Sequence, residues 1–170
     1  WLGPARQGKA APMHSTESAA ARYADIETWS TAELVSGMID SQREGLDAVA
    51  AAAPALARAV DAIAGRLGSS GRLIYLGAGT SGRIGAQDGA ELPPTFNWPY
   101  ERAITLMAGG PGALLQAVEN AEDSTTAAAE GLDALGLTPN DAVIGLAASG
   151  STPYVVAGLE HSRAKGALTV

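Results

Sequence analysis

The residues able to do chemistry fall into two acidic groups and two hydroxyl-rich loops. Glu91 stands in "DGAELPPTF", directly before Leu92 and a Pro-Pro pair. A carboxylate near a helix C-terminus meets the negative end of the helix dipole. The apolar flank of Leu92, Pro93, Pro94 and Phe96 adds desolvation, and both effects suit a general acid. The plainer reading is a solvated glutamate at a helix end. "VENAEDS" sets Glu119, Glu122 and Asp123 within five positions. Crowding disfavours ionising all three, which suits a base working near neutral pH. The same spacing fits a solvated acidic turn in which Asp123 or Ser124 caps the next helix.

The loops are "LIYLGAGTSGRIG" and "AVIGLAASGSTPYVV". Each is an apolar run that passes through small and hydroxyl residues into a helical pattern. Helix N-termini expose unpaired N–H groups, glycine lets an anion approach the backbone, and hydroxyls add donors. Gly79, Thr80 and Ser81 in the first loop, with Ser149, Gly150, Ser151 and Thr152 in the second, are therefore candidate phosphate and sugar ligands. Alternatively, these hydroxyls only cap helices. The Gly-x-Gly-x-x-Gly spacing of the first loop suggests a dinucleotide site. Such a site requires an acidic residue at the end of the next strand, and that strand ends in "LMAGGPG". The dinucleotide reading is set aside.

Strands and helices must hold these loops in place. "RLIYLG", "AITLMAG", "DAVIGLAAS" and "ALTV" read as strands of a buried parallel sheet. Helices are expected from about Thr80 to Glu91, where Pro93 and Pro94 forbid continuation, from Pro111 to about Asn120, over 125–135, and from Pro153 to about Lys165. Earlier, Ser30 and Glu33 have capping-box spacing before a helix, and Pro54 fits the first turn of a second one. The alternation predicts an α/β doubly wound sheet over 71–170, preceded by an arm and helices over 15–70. Residues 1–14 read as a disordered lead or added extension, the first twelve of them preceding Met13. The last strand is cut at Val170, so the expectation is the front part of a longer protein.

Composition limits the partners. The 170 residues carry eleven basic and eighteen acidic side chains, a net charge of −7, which argues against nucleic-acid or anionic-membrane binding. There is no cysteine, so disulfides and thiolate ligands are excluded and a cytoplasmic setting fits. His14 and His161 lack neighbours at metal-ligand spacing, and no metal site is expected. Trp29, Trp98 and Tyr154 read as packing residues.

Taken together, "TES", "STAELV", "GRLIYLGAGTSGRIG", "DGAELPPTF", "MAGGPGALLQAVENAED" and "GLAASGSTPYVVAGL" resemble the N-terminal half of the N-acetylmuramic acid 6-phosphate etherases over about residues 15–170. The resemblance implies a sugar-isomerase (SIS) fold with a five-stranded parallel sheet, a homodimer, and no metal or organic cofactor. It implies removal of D-lactate from N-acetylmuramic acid 6-phosphate during cell-wall recycling. By the same resemblance Glu91 is the acid, Glu122 is the proton-abstracting base, and the two loops hold the sugar phosphate. One departure is Ser151, where many members carry arginine; another is that the family extends beyond Val170.

Two other functions fit the motifs. A sugar-phosphate-binding regulator, as in glucokinase regulatory proteins, needs the phosphate loops but not the glutamate pair. A sugar-phosphate isomerase needs a C2 base but no acid at a C3 ether oxygen.

Overall fold

The computed structural model describes residues 20–170, so the lead over 1–14 and the beginning of the arm lie outside the described residues. The chain divides into two units, 1–51 and 52–170. Short 3-10 turns at Ala21–Tyr23 and Ile26–Thr28 precede helix α1, Thr31–Leu67, whose residues beyond Ala51 belong to the second unit. The capping box is present: the Ser30 N–H donates to Glu33 Oε2 at 2.8 Å, and the Glu33 N–H donates to Ser30 Oγ at 3.3 Å. Trp29 lies against Gly37, where a Cβ would come within 2.8 Å of its ring. Two helices split at Pro54 were expected, but Pro54 lies inside one helix. The ring removes one backbone donor and keeps a helical φ, which a 37-residue helix can carry.

Helix α1 leaves Val35, Met38, Ile39, Leu46, Val49, Leu56 and Val60 exposed. One 18-residue stretch reaches a mean hydropathy of 1.4, enough by length and composition to cross a bilayer. Its second half is alanine-rich and interrupted by Arg58 and Asp61.

The second unit contains a parallel sheet in the order β2-β1-β3-β4, with β1 Leu73–Gly77, β2 Ala103–Met107, β3 Ala142–Leu146 and β4 Leu168–Thr169. Leu73 pairs with Ala103 on one side and Ala142 on the other. All five β1 residues are buried, as the apolar run predicts for a central strand. Alternate residues face opposite layers. Ile74, Leu76 and Val143 pack with Leu132, Tyr154 and Val155 from α3 (Ala127–Ala134) and α4 (Pro153–Ala164). Leu73, Tyr75 and Ala142 pack with Leu67, Leu92 and Trp98 on the other face. Helices therefore cover both faces, as the doubly wound reading requires. Four strands are present among the described residues, against five in the family the motifs resemble.

Helix α2, Gly79–Phe96, buries Gly82, Gly85, Gly89 and Pro93 against the sheet. The glycines let it lie close: a Cβ on Gly82 would meet the Gly77 carbonyl carbon at 2.9 Å, and one on Gly85 would meet Leu146 at 2.8 Å. The expected stop near Glu91 does not occur, and the helix carries Pro93 and Pro94 for more than another turn. Burial of Pro93 on the sheet offsets the lost donors. The helix ends at Asn97 in the left-handed conformation, with the Trp98 N–H reaching the Leu92 carbonyl at 3.4 Å.

The helix expected from Pro111 to Asn120 is absent. A single 3-10 turn spans Pro111–Leu114, and the chain then runs through turns to a second one at Ala121–Asp123. Gly109 and Gly110 are left-handed, and only Ala113 of the first turn is buried. With Leu115 at 93 % exposure, the segment presents no continuous apolar stripe to stabilise a helix. Val118 instead folds back over Gly109, where a Cβ would meet it at 2.8 Å.

Candidate functional site

At the carboxyl end of β1 the backbone turns sharply into α2. Gly79 has a φ of +54°, and the Gly82 N–H donates to the Ala78 carbonyl at 3.0 Å. The close Gly77–Gly82 approach seats the helix N-terminus on the sheet edge, with Thr80 exposed and Ser81 half-buried. After β2, the Ala108 N–H donates to the Gly77 carbonyl at 3.0 Å, which ties the next loop alongside. A cavity of about 190 Å³ opens between them, lined by Gly79, Arg83, Ala113, Glu119 and Glu122 among others. The loss of the predicted helix makes this cavity: the irregular segment after β2 curls back and carries both glutamates toward the first loop.

Glu119 and Glu122 line the same cavity without sharing a helix face. Asn120 between them is left-handed, with a φ of +60°. The Ser124 hydroxyl accepts the Ala127 N–H at 3.1 Å at the start of α3, but the N-cap position itself is Thr126, so neither Asp123 nor Ser124 occupies it.

The second loop follows β3, next to β1 in the sheet, so both loops stand at the same sheet edge. Ser149 Oγ accepts the Ser151 N–H at 3.2 Å and the Ser151 hydroxyl at 2.9 Å, folding the turn around left-handed Gly150. Thr152 stands at the N-cap of α4. Gly150 and Ser151 line a second, open groove of about 810 Å³ with Thr125, Glu160 and His161.

Glu91 lies elsewhere. It is exposed on α2, twelve residues beyond Gly79, roughly 18 Å along the helix at the ordinary rise. Its neighbour Leu92 packs with Leu73 and Leu67 near the amino end of β1. The first cavity is therefore lined by Gly79 and Glu122 but not by Glu91. The expected apolar enclosure of Glu91 is also missing, because the helix continues past it and Phe96 is 70 % exposed.

Arg83 was not singled out from sequence. Its Nε donates to the Ala113 and Leu114 carbonyls at 3.1 and 3.3 Å, joining α2 to the turn on the far side of the cavity. The available signal was an arginine one turn into a helix that opens on a hydroxyl loop. No group of three or more His, Asp or Glu side chains among the described residues could hold a metal ion.

A parallel sheet with helices on both faces and small-residue loops at its carboxyl edge defines an SIS-type α/β domain. Residues 55–163 match the family described as the glucokinase regulatory protein N-terminal SIS domain, and the chain belongs to it. Among curated proteins it is 53% identical over 146 residues to an N-acetylmuramic acid 6-phosphate etherase of Salmonella agona (strain SL483), covering 86% of this chain and 49% of that protein. It is 48% identical over 155 residues to the protein of the same name from Deinococcus radiodurans, covering 91% of this chain and 51% of the relative. The chain thus spans about half the length of the relatives it matches. A solved phosphoheptose isomerase from Neisseria gonorrhoeae superposes with a TM-score of 0.54 at 15% identity, covering 81% of this chain and 71% of that one, a likeness of fold.

Proposed function

We propose that this chain supplies the phosphosugar-binding part of a cytoplasmic etherase that cleaves the D-lactyl ether of N-acetylmuramic acid 6-phosphate. The observation that carries the reading is the cavity in which Glu122 faces the Gly79 end of the first loop. The identity to etherases supports the choice of substrate. Thr80 and Ser81, with Ser149, Gly150, Ser151 and Thr152, hold the sugar phosphate at two helix N-termini.

In the open-chain sugar the C2 proton is acidified by the neighbouring aldehyde. Glu122 removes it, the C2–C3 double bond forms, and the C3–O bond breaks. Glu91 protonates the departing ether oxygen, releasing D-lactate. Water then adds at C3, with Glu91 taking its proton and C2 regaining one, to give N-acetylglucosamine 6-phosphate.

Because Glu91 and Glu122 stand apart in one chain, the acid at each site comes from a second copy in a homodimer. Two features support this arrangement. Ile84, seven residues before Glu91 and on the same face of α2, is 58 % exposed, and α1 leaves a row of apolar side chains uncovered.

The test is D-lactate release from N-acetylmuramic acid 6-phosphate by the gene product carrying this chain. Glu91→Gln and Glu122→Gln should each lower the rate by about 10²–10⁴, the usual worth of one placed proton-transfer group. Release that survives both substitutions overturns the site assignment. A regulator is the second reading, favoured by the description of the matched family. It predicts phosphosugar binding by the wild-type protein with no lactate released.

A further inference from the structure

We propose that Arg83 is a specificity-determining residue that pairs with the carboxylate of the substrate's lactyl group. This inference rests on the etherase reading above and adds a contact that the motifs did not suggest.

The cavity beside the first loop holds two carboxylates, Glu119 and Glu122, and Arg83 is the single basic side chain among its lining residues. A doubly acidic cleft repels an anionic sugar unless a cation offsets it. Arg83 can do so because neither glutamate neutralises it: no ion pair links it to Glu119 or Glu122 among the described residues. Its Nε is taken by the Ala113 and Leu114 carbonyls, which fix the half-buried side chain across the cavity wall. No hydrogen bond engages the two terminal nitrogens among the described residues, so their N–H groups remain for a planar, two-oxygen acceptor.

The position of Glu122 identifies that acceptor. A base acting at C2 places C2 and C3 in the same cavity. The lactyl carboxylate hangs from the C3 oxygen, whereas the phosphate is at C6, the far end of the chain. The phosphate already has its donors on Thr80 and Ser81 at the first turn of α2, so the anion left for a guanidinium beside Glu122 is the carboxylate.

Two ligands separate the roles. N-acetylmuramic acid 6-phosphate has both anions, while N-acetylglucosamine 6-phosphate keeps the phosphate and lacks the lactyl group. In the gene product carrying this chain, Arg83→Gln should raise KM for the first roughly tenfold or more, the ordinary loss of a charged hydrogen bond. It should leave the dissociation constant of the second within about twofold, which also shows that the variant is folded. Arg83→Lys, with charge but no fork, should fall between. Equal weakening of both ligands, or of neither, overturns the proposal while wild-type lactate release keeps the etherase reading intact. Absence of lactate release from the wild type overturns both.

Discussion

Asp141 stands at the entry to β3 with 1 % exposure and accepts hydrogen bonds from five donors. Three are the Arg72 N–H, Nε and Nη2; two are the Thr138 N–H and hydroxyl. Burial raises this carboxyl, but the bonds from Arg72 and Thr138 outweigh it and hold the group below the ordinary 3.8. A depressed carboxyl contributes stability that is present above its unfolded value and lost as pH falls through the folded one. Asp141→Asn should therefore cost about 3–5 kcal/mol at neutral pH, the usual penalty for breaking a buried pair. It should also flatten the loss of stability below pH 3.8, read by urea titration across acid pH. Nothing in the sequence marked the pairing of Asp141 with Arg72, because the two stand 69 positions apart and only the fold brings them together, whereas Thr138 is a local partner three positions away. Glu91 and Glu122 were legible as residue types in motifs. Their placement was not, since it depends on where α2 ends and on a turn that replaces a helix.

Among the elements, the strands were the most legible, because a short β-rich apolar run has few other ways to be buried. The helices failed at prolines and glycines. Pro54 suggested the start of a second helix and Pro93 and Pro94 a stop, yet each lies within a helix. The segment after β2 had the apolar residues of a helix, but left-handed Gly109 and Gly110 bend it away from one. The glycine stripe of α2 has the clearest consequence. A Cβ at Gly82 would lie 2.9 and 3.0 Å from the carbonyl carbon and oxygen of Gly77, and backbone cannot rotate aside. Gly82→Ala should lift the first turn of α2 from the sheet and cost about 1–3 kcal/mol, as overpacked sites do. Because that turn carries Gly79, Thr80 and Ser81, phosphosugar affinity should fall as well. A Gly65→Ala control, where a Cβ meets nothing within 4 Å, should do neither. A Gly82→Ala protein of wild-type stability and affinity would show that the close approach is dispensable.

For the whole molecule, the separation of the glutamates turns a question of mechanism into one of assembly. In a single chain Glu122 lines the cavity at the carboxyl edge of the sheet, while Glu91 is exposed roughly 18 Å along α2 from Gly79. If each site of a two-fold dimer takes Glu122 from one copy and Glu91 from the other, the two defects complement. A Glu91→Gln chain paired with a Glu122→Gln chain yields one site with both glutamates and one site with neither. Random pairing of equal amounts makes half the dimers mixed, so the mixture should regain about a quarter of wild-type lactate release from two nearly inactive parents. Co-expression of the two variants, followed by D-lactate assay of the purified pool, measures this directly. Sites built within one chain predict no recovery, because every chain in the pool lacks one glutamate. Recovery near a quarter would assign the acid to the second copy, and would explain why α2 runs on through two prolines to present its far end outward.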